Sequence, residues 1–144
     1  MAKLSDWLPE DRLYDGGSYL WVKEKSEGGT LQVGIGLPTV ESFGELAYLS
    51  LLEPGEKVSR GDSIGSMEAA KMTGEIVSPV SGTIVERNET VLDNPHKVSD
   101  DPYSGGWLVA LEPEFWDSEK GELHDSVSLY ELLPEELRGN HNTR

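Results

Sequence analysis

The sequence predicts a mainly β domain with minor α structure: a flattened β-barrel or sandwich of short strands, with short helices at its N- and C-terminal ends. Three observations predict it. Short β-rich runs recur between turns marked by glycine and proline. A strand pattern is written twice in the middle of the chain. An apolar face at helical spacing runs near the C-terminus, through Val127, Leu129, Tyr130, Leu132 and Leu133.

The repeated pattern organises the rest. Val58-Ser59-Arg60-Gly61-Asp62-Ser63-Ile64 aligns with Pro79-Val80-Ser81-Gly82-Thr83-Ile84-Val85, so that Gly61 meets Gly82 at an offset of 21 residues. Lys71 lies almost midway between the two glycines. Two similar halves folded about a tight hairpin place that lysine at the tip, facing solvent and other proteins.

In chain order, residues 1–18 form an N-terminal arm with Trp7, Leu8 and Tyr14 among charges, ending in the turn Asp15-Gly16-Gly17-Ser18. Tyr19-Leu20-Trp21-Val22-Lys23 and Thr30-Leu31-Gln32-Val33-Gly34-Ile35 make a hairpin joined by Ser26-Glu27-Gly28-Gly29. Leu37 to Gly44 reads as a short helical turn, with Pro38 early and Gly44 as its stop. Glu45 to Leu51 alternates in part and reads as a strand, followed by the turn Glu53-Pro54-Gly55-Glu56. Strands are expected near 62–68, 73–78 and 82–87. Asn88 to Tyr103 has no steady period and is expected to be a surface loop. Gly106 to Leu111 is the final strand, and Glu114 to Asp117 a short helix. Asp125-Ser126 caps the last helix, which Pro134 stops. The domain body is residues 19–133, and residues 134–144 are expected to be a disordered tail.

Composition narrows the function classes. A chain of 144 residues is one domain, long enough to bury roughly two-thirds of its unfolded surface. There are no cysteines, which fits a reducing compartment and excludes thiolate chemistry from the protein itself. The N-terminus has neither an apolar signal core nor an arginine-rich transit pattern, and no apolar run is long enough to span a membrane. A cytoplasmic protein is expected. The formal charge of −15, from 27 acidic against 12 basic residues, repels phosphate backbones and anionic membranes. It suits docking to basic patches on partner enzymes, or solubility at high salt or pH.

Catalytic and metal-binding patterns are missing. His96, His124 and His141 are not at metal-ligand spacing. No Gly-x-Ser-x-Gly elbow frames a serine, and Gly28-Gly29 and Gly105-Gly106 lack the strand–glycine–helix context of a phosphate cradle. The scattered carboxylates read as a solvated surface. No catalytic residue and no metal site is therefore expected, and the chain is not read as an enzyme. Lys71 remains, and as an attachment point rather than a nucleophile in a reaction of its own. Gly65 and Ser66 before it and Thr73 and Gly74 after it leave access open, with Glu68 three residues upstream as a charged marker.

The layout Gly61-Asp62, Glu68-x-x-Lys71 and Pro79-Val80-Ser81-Gly82-x-Ile84-Val85 resembles the lipoyl/biotinyl carrier superfamily, whose hammerhead fold is a flattened barrel with pseudo-two-fold halves. Glu68-Ala69-Ala70-Lys71-Met72 is similar to the biotin-type Glu-Ala-Met-Lys-Met. The wider chain points elsewhere. Val85-Glu86-Arg87-Asn88-Glu89, Asp101-Pro102-Tyr103-Ser104-Gly105-Gly106-Trp107-Leu108, Gly34-Ile35 and Ser128-Leu129-Tyr130-Glu131-Leu132-Leu133 resemble the H-protein of the glycine cleavage system, over roughly residues 14–133. The resemblance implies covalently attached lipoate on Lys71, with Glu68, Glu75, Gly61 and Gly82 in supporting positions. It implies as partners a lipoate ligase or lipoyl transferase and oxidoreductases including dihydrolipoamide dehydrogenase. A carrier that visits several enzymes is expected to be a monomer.

The chain also departs from the resemblance. H-proteins typically carry a His-Glu-Trp segment in the first strand, whose glutamate helps line the cleft that shelters the loaded arm. The matching segment here is Tyr19-Leu20-Trp21, so Leu20 stands in place of that carboxylate, while Glu75 keeps an acidic position four residues after the lysine. An unpartnered buried cation is costly. The departure places a related carrier ahead: the H-like lipoate-binding protein of heterodisulfide-reductase-like sulfur oxidation. The alternative is a glycine-cleavage H-protein carrying the aminomethyl group from glycine decarboxylase. A third reading is an unmodified docking adaptor.

Overall fold

The computed structural model describes residues 3–26 and 29–138. The tip of the first hairpin at Glu27-Gly28 and the tail from 139 onward, His141 included, lie outside the described residues. The chain opens with helix α1 (Leu4–Trp7) and strand β1 (Leu13–Tyr14). Strands β2 (Leu20–Glu24) and β3 (Leu31–Ile35) form the expected hairpin, followed by α2 (Leu37–Phe43) and β4 (Leu46–Leu51). Then come β5 (Lys57–Val58), β6 (Ser63–Ala69), β7 (Thr73–Val77) and β8 (Gly82–Arg87). Helices α3 (Glu89–Asp93) and α4 (His96–Asp100) precede β9 (Val109–Pro113), and α5 (Trp116–Glu119) and α6 (Ser126–Leu132) close the chain.

These strands make two antiparallel sheets: six strands in the order β1-β2-β3-β9-β8-β5, and three in the order β4-β6-β7. The result is a flattened sandwich rather than a closed barrel. The larger core lies between the sheets, where Leu20, Val22, Val33 and Leu111 meet Leu49, Ile64, Met67 and Ile76. A second core covers the outer face of the large sheet. There Trp21 packs with Trp7, Leu8, Tyr14, Leu129 and Leu133. Both faces of β2 are thus covered, which is why Leu20, Trp21 and Val22 are all buried instead of alternating. Gly34 lies directly opposite Trp21, and a Cβ there would collide with the indole ring. The missing side chain lets the indole lie against the backbone of β3.

The first and last described segments are tied into this second core. The Trp7 indole donates to the Leu137 carbonyl at 3.0 Å, and the Tyr14 hydroxyl to the Pro9 carbonyl at 2.6 Å. Arg12 is only 8% exposed. Its guanidinium lies 4.6 Å from the Trp21 ring centroid and 5.2 Å from that of Tyr103, and it donates to the Tyr103 carbonyl at 2.8 Å. The arm adds strand β1 to the sheet, and the tail begins with a 3-10 turn at Glu135–Leu137.

Several local expectations are corrected. The segment expected as a loop over 88–103 contains α3 and α4. Each is one short turn, too brief to show a period. Asn88 caps α3 by accepting from the Thr90 amide at 3.1 Å, and the fully buried Val91 and Val98 anchor the two helices. The last strand starts at Val109 rather than Gly106, because Gly106 is folded against the Asp101 carbonyl in the preceding turn. On α6, Asp125 caps as expected, accepting from the Ser128 amide at 2.8 Å. Only Leu129 of the predicted apolar positions within that helix is buried among the large side chains; Val127 and Leu132 face solvent. The partial alternation of β4 has its cause in a bulge between Leu46 and Tyr48, which turns Ala47 and Tyr48 outward together.

Candidate functional site

Strands β6 and β7 pair from Ser63↔Val77 to Glu68↔Thr73, leaving Ala70-Lys71 as the tip. The Ala69 amide donates to the Met72 carbonyl at 2.8 Å and closes it. Lys71 is exposed, and among the described residues its amine makes no ion pair or side-chain hydrogen bond. Alternation along β6 buries Met67 and sends Glu68 outward, where it pairs with the exposed Tyr48 on β4.

Beside the hairpin a cleft of about 210 Å³ opens between the start of β2 and strand β7. Leu20, Ile35, Phe43, Met67, Met72 and Ile76 give it an apolar lining, and Glu75 is its one carboxylate. Glu75 accepts from the Ser63 hydroxyl at 2.8 Å. Leu20 is 4% exposed, so the position that differs from the usual glutamate points into the core side of this cleft.

The entrance beside β2 is shaped by Asp15. Its Oδ2 accepts from the Gly17 amide at 3.1 Å, the Ser18 amide at 2.8 Å and the Ser18 hydroxyl at 3.0 Å. Tyr19 follows with φ of 63°, the only non-glycine in the left-handed region among the described residues. Burial pushes the Asp15 pKa up, but the bonds from Ser18, Arg60 and Gly17 outweigh it and hold the carboxyl below its ordinary range. A depressed folded pKa contributes stability above the unfolded value of 3.8 and loses it as pH falls through the folded value. Urea unfolding between pH ~5 and ~2 is therefore expected to show a smaller pH slope in Asp15→Asn than in the parent, with the variant less stable at neutral pH.

The five expected site residues separate into two groups. Lys71, Glu68 and Glu75 lie on one hairpin. Gly61 and Gly82 lie at the other end of β6, away from the tip, and do different jobs. Gly61 has φ of 97° and forms a turn, donating to the Ser78 carbonyl at 2.9 Å. Gly82 has a close approach instead, since a Cβ there would strike the Glu112 carbonyl on β9. The repeat therefore matches in sequence more than in backbone role. Sequence reasoning missed the segment under the tip: the carbonyls of Phe43 and Glu45 accept from the amides of Lys71 and Ala70, each at 3.0 Å. Its one visible signal was Gly44, read only as a helix stop. Among the described residues no His, Asp or Glu cluster has the makings of a metal site. Among the described residues no helix is long and apolar enough to cross a membrane.

Fold and site together define a class: a small antiparallel β-sandwich that presents an exposed lysine at a hairpin tip beside an apolar cleft. Comparison with known proteins makes the class particular. A family model described as "Glycine cleavage H-protein" matches residues 12–136. The chain is 36% identical over 125 residues to the glycine cleavage system H protein of Crocosphaera subtropica, covering 86% of this chain and 89% of that one. It is 35% identical over 133 residues to a probable glycine cleavage system H protein of Pyrococcus horikoshii, covering 92% and 98%. The crystal structure of a glycine cleavage system H protein from Mycobacterium marinum superposes with a TM-score of 0.77 at 34% identity, over 86% of this chain and 97% of that one. The chain belongs to the glycine cleavage H-protein family.

Proposed function

We propose that Lys71 is the attachment point of a lipoyl group and that the protein is the lipoyl carrier of a glycine cleavage system. The single observation that carries this is the free, exposed amine of Lys71 at the tip of a braced hairpin, next to a cleft of matching apolar character. The arrangement fits the group: the amine has no competing partner among the described residues, and Leu20, Phe43, Met67 and Met72 offer an apolar surface to a hydrocarbon arm. When bound, an amide-linked lipoyl group supplies a disulfide–dithiol couple that passes two electrons. The residues of the chain supply presentation and shelter. No side chain is needed as acid or base for that role, which makes the protein a carrier subunit rather than an enzyme.

Attachment requires Lys71 to lose a proton before it attacks the carbonyl carbon of a lipoyl adenylate. The C–N bond forms as the bond to AMP breaks, AMP leaves with the electron pair, and a second proton departs to solvent. The attaching partner is a lipoate ligase or lipoyl transferase. Glycine decarboxylase and dihydrolipoamide dehydrogenase follow as the enzymes the arm serves. Incubation with a lipoate ligase, lipoate and ATP, followed by intact mass spectrometry and peptide mapping, is expected to show one lipoyl increment on the peptide containing Lys71. An unmodified protein, the outcome of the adaptor reading, would overturn the proposal.

Leu20 favours a second reading of the cargo. A cleft with one carboxylate, already bonded to Ser63, is poorly suited to a cationic guest, and this is the ground for a carrier in heterodisulfide-reductase-like sulfur oxidation. The names of the relatives support glycine cleavage, so the sulfur reading stands second. Loading of the lipoylated protein by glycine decarboxylase separates the two. On the first reading the parent loads efficiently. On the second it loads poorly, and Leu20→Glu improves loading.

A further inference from the structure

We propose that the α2–β4 connection Phe43-Gly44-Glu45 is a platform that fixes the lysine hairpin, and that Gly44 is a positioning residue for modification of Lys71. The inference rests on Lys71 as the modified residue. Two-residue hairpin tips normally close through turns with left-handed residues, whose twist matches that of the strands; tips without them splay the strands. Neither Ala70 nor Lys71 has a positive φ. The hairpin lacks the backbone chemistry that would make its tip rigid by itself.

The connection supplies the missing restraint from outside. The Ala70 amide donates to the Glu45 carbonyl and the Lys71 amide to the Phe43 carbonyl, both at 3.0 Å. Both tip amides, which in a free hairpin face water, are thus held by carbonyls flanking Gly44. The Gly44 backbone makes this possible. Its φ of 81° and ψ of −167° lie in a region open essentially to glycine alone. A Cβ on Gly44 would also come within 3.0 Å of the Ala70 Cβ, tighter than ordinary contact. Glycine therefore serves twice, aiming the carbonyls on either side of it at the tip and leaving room for the Ala70 side chain.

The consequence is directional. With both amides held, the Cα–Cβ bond of Lys71 points along a fixed line, and an enzyme that docks on the sandwich meets the amine in one place. Releasing the tip lets the strands splay and the amine wander. Misplacement of a reacting group by about 1 Å is enough to cost up to about 100-fold in rate.

The test combines hydrogen exchange with modification kinetics on the full chain. In the parent, the Ala70 and Lys71 amides are expected to exchange at least about tenfold more slowly than open-chain amides. In Gly44→Ala that protection is expected to vanish, while Val33 and Leu111 in the core stay protected. With lipoate ligase, lipoate and ATP, kcat for Gly44→Ala is expected to fall between about tenfold and 100-fold with KM nearly unchanged. A purely structural lesion would instead release the core amides. If Gly44→Ala does so, Ala70→Pro, which deletes one donor and leaves the connection intact, takes its place: the Lys71 amide is then expected to lose its protection and kcat to fall by the same factor, with the core amides still protected. Unprotected tip amides in the parent, or lost protection with an unchanged kcat, would overturn the platform. The exchange measurement needs no ligase. Protected tip amides in a parent that no ligase modifies would count against Lys71 as the lipoyl site and not against the platform.

Discussion

Lys71→Arg is expected to take up no lipoyl group, while folding and stability stay within about 0.5 kcal/mol of the parent. Arginine keeps the positive charge and the length of the side chain, but its guanidinium stays protonated and cannot attack an adenylate. The stability half of the expectation follows from the site. Lys71 is exposed, and its side chain has no hydrogen bond or ion pair among the described residues, so the substitution removes nothing the fold uses. Its structural contribution is the backbone amide bonded to Phe43, which arginine retains. Intact mass spectrometry after ligase treatment and a urea denaturation curve check the two halves. A lipoyl increment on Lys71→Arg would place the modification on another lysine.

Trp21→Ala is expected to cost about 3–5 kcal/mol, the range for deleting a large buried aromatic side chain. Against a typical domain stability of about 5–15 kcal/mol, this leaves the protein close to unfolding. The ring is fully buried and forms the centre of the second core, between the sheet and the packed chain ends. Its loss also removes the indole hydrogen bond to the Pro102 carbonyl at 3.0 Å and uncovers one face of the Arg12 guanidinium. Gly34, directly opposite on β3, contributes no side chain to fill the gap left over it. Urea unfolding is expected to show a lower midpoint with an unchanged slope. A loss below about 1 kcal/mol would mean that the arm and α6 do not pack against this face.

Both predictions show how much could be read from residues alone. The lysine hairpin was legible because a repeat with small residues around a single lysine is a local pattern. The β2–β3 hairpin and the strands around it were legible because their turns carry glycine and proline in interpretable places. The helices at 89–93 and 96–100 were not, since a single turn shows no periodicity and depends on buried Val91 and Val98 and the Asn88 cap. The apolar stripe of α6 was overestimated for a related reason. Spacing shows which residues share a face, but only packing shows which of them find a neighbour, and Val127 and Leu132 find none large enough to cover them.

The site divides in the same way. The sequence by itself determined the antiparallel β character, the hairpin, the lysine at its tip and the substitution at Leu20, because each is written in adjacent residues or in a short repeat. Tertiary structure alone decided the cleft, which joins Leu20 and Ile35 of one sheet to Met67 and Glu75 of the other across long separations in the chain. It also decided the different roles of Gly61 and Gly82, and the platform under Lys71. Each depends on which backbone comes to lie against which other backbone. That choice is made by burial of the two cores, a property of the whole chain that no short stretch contains.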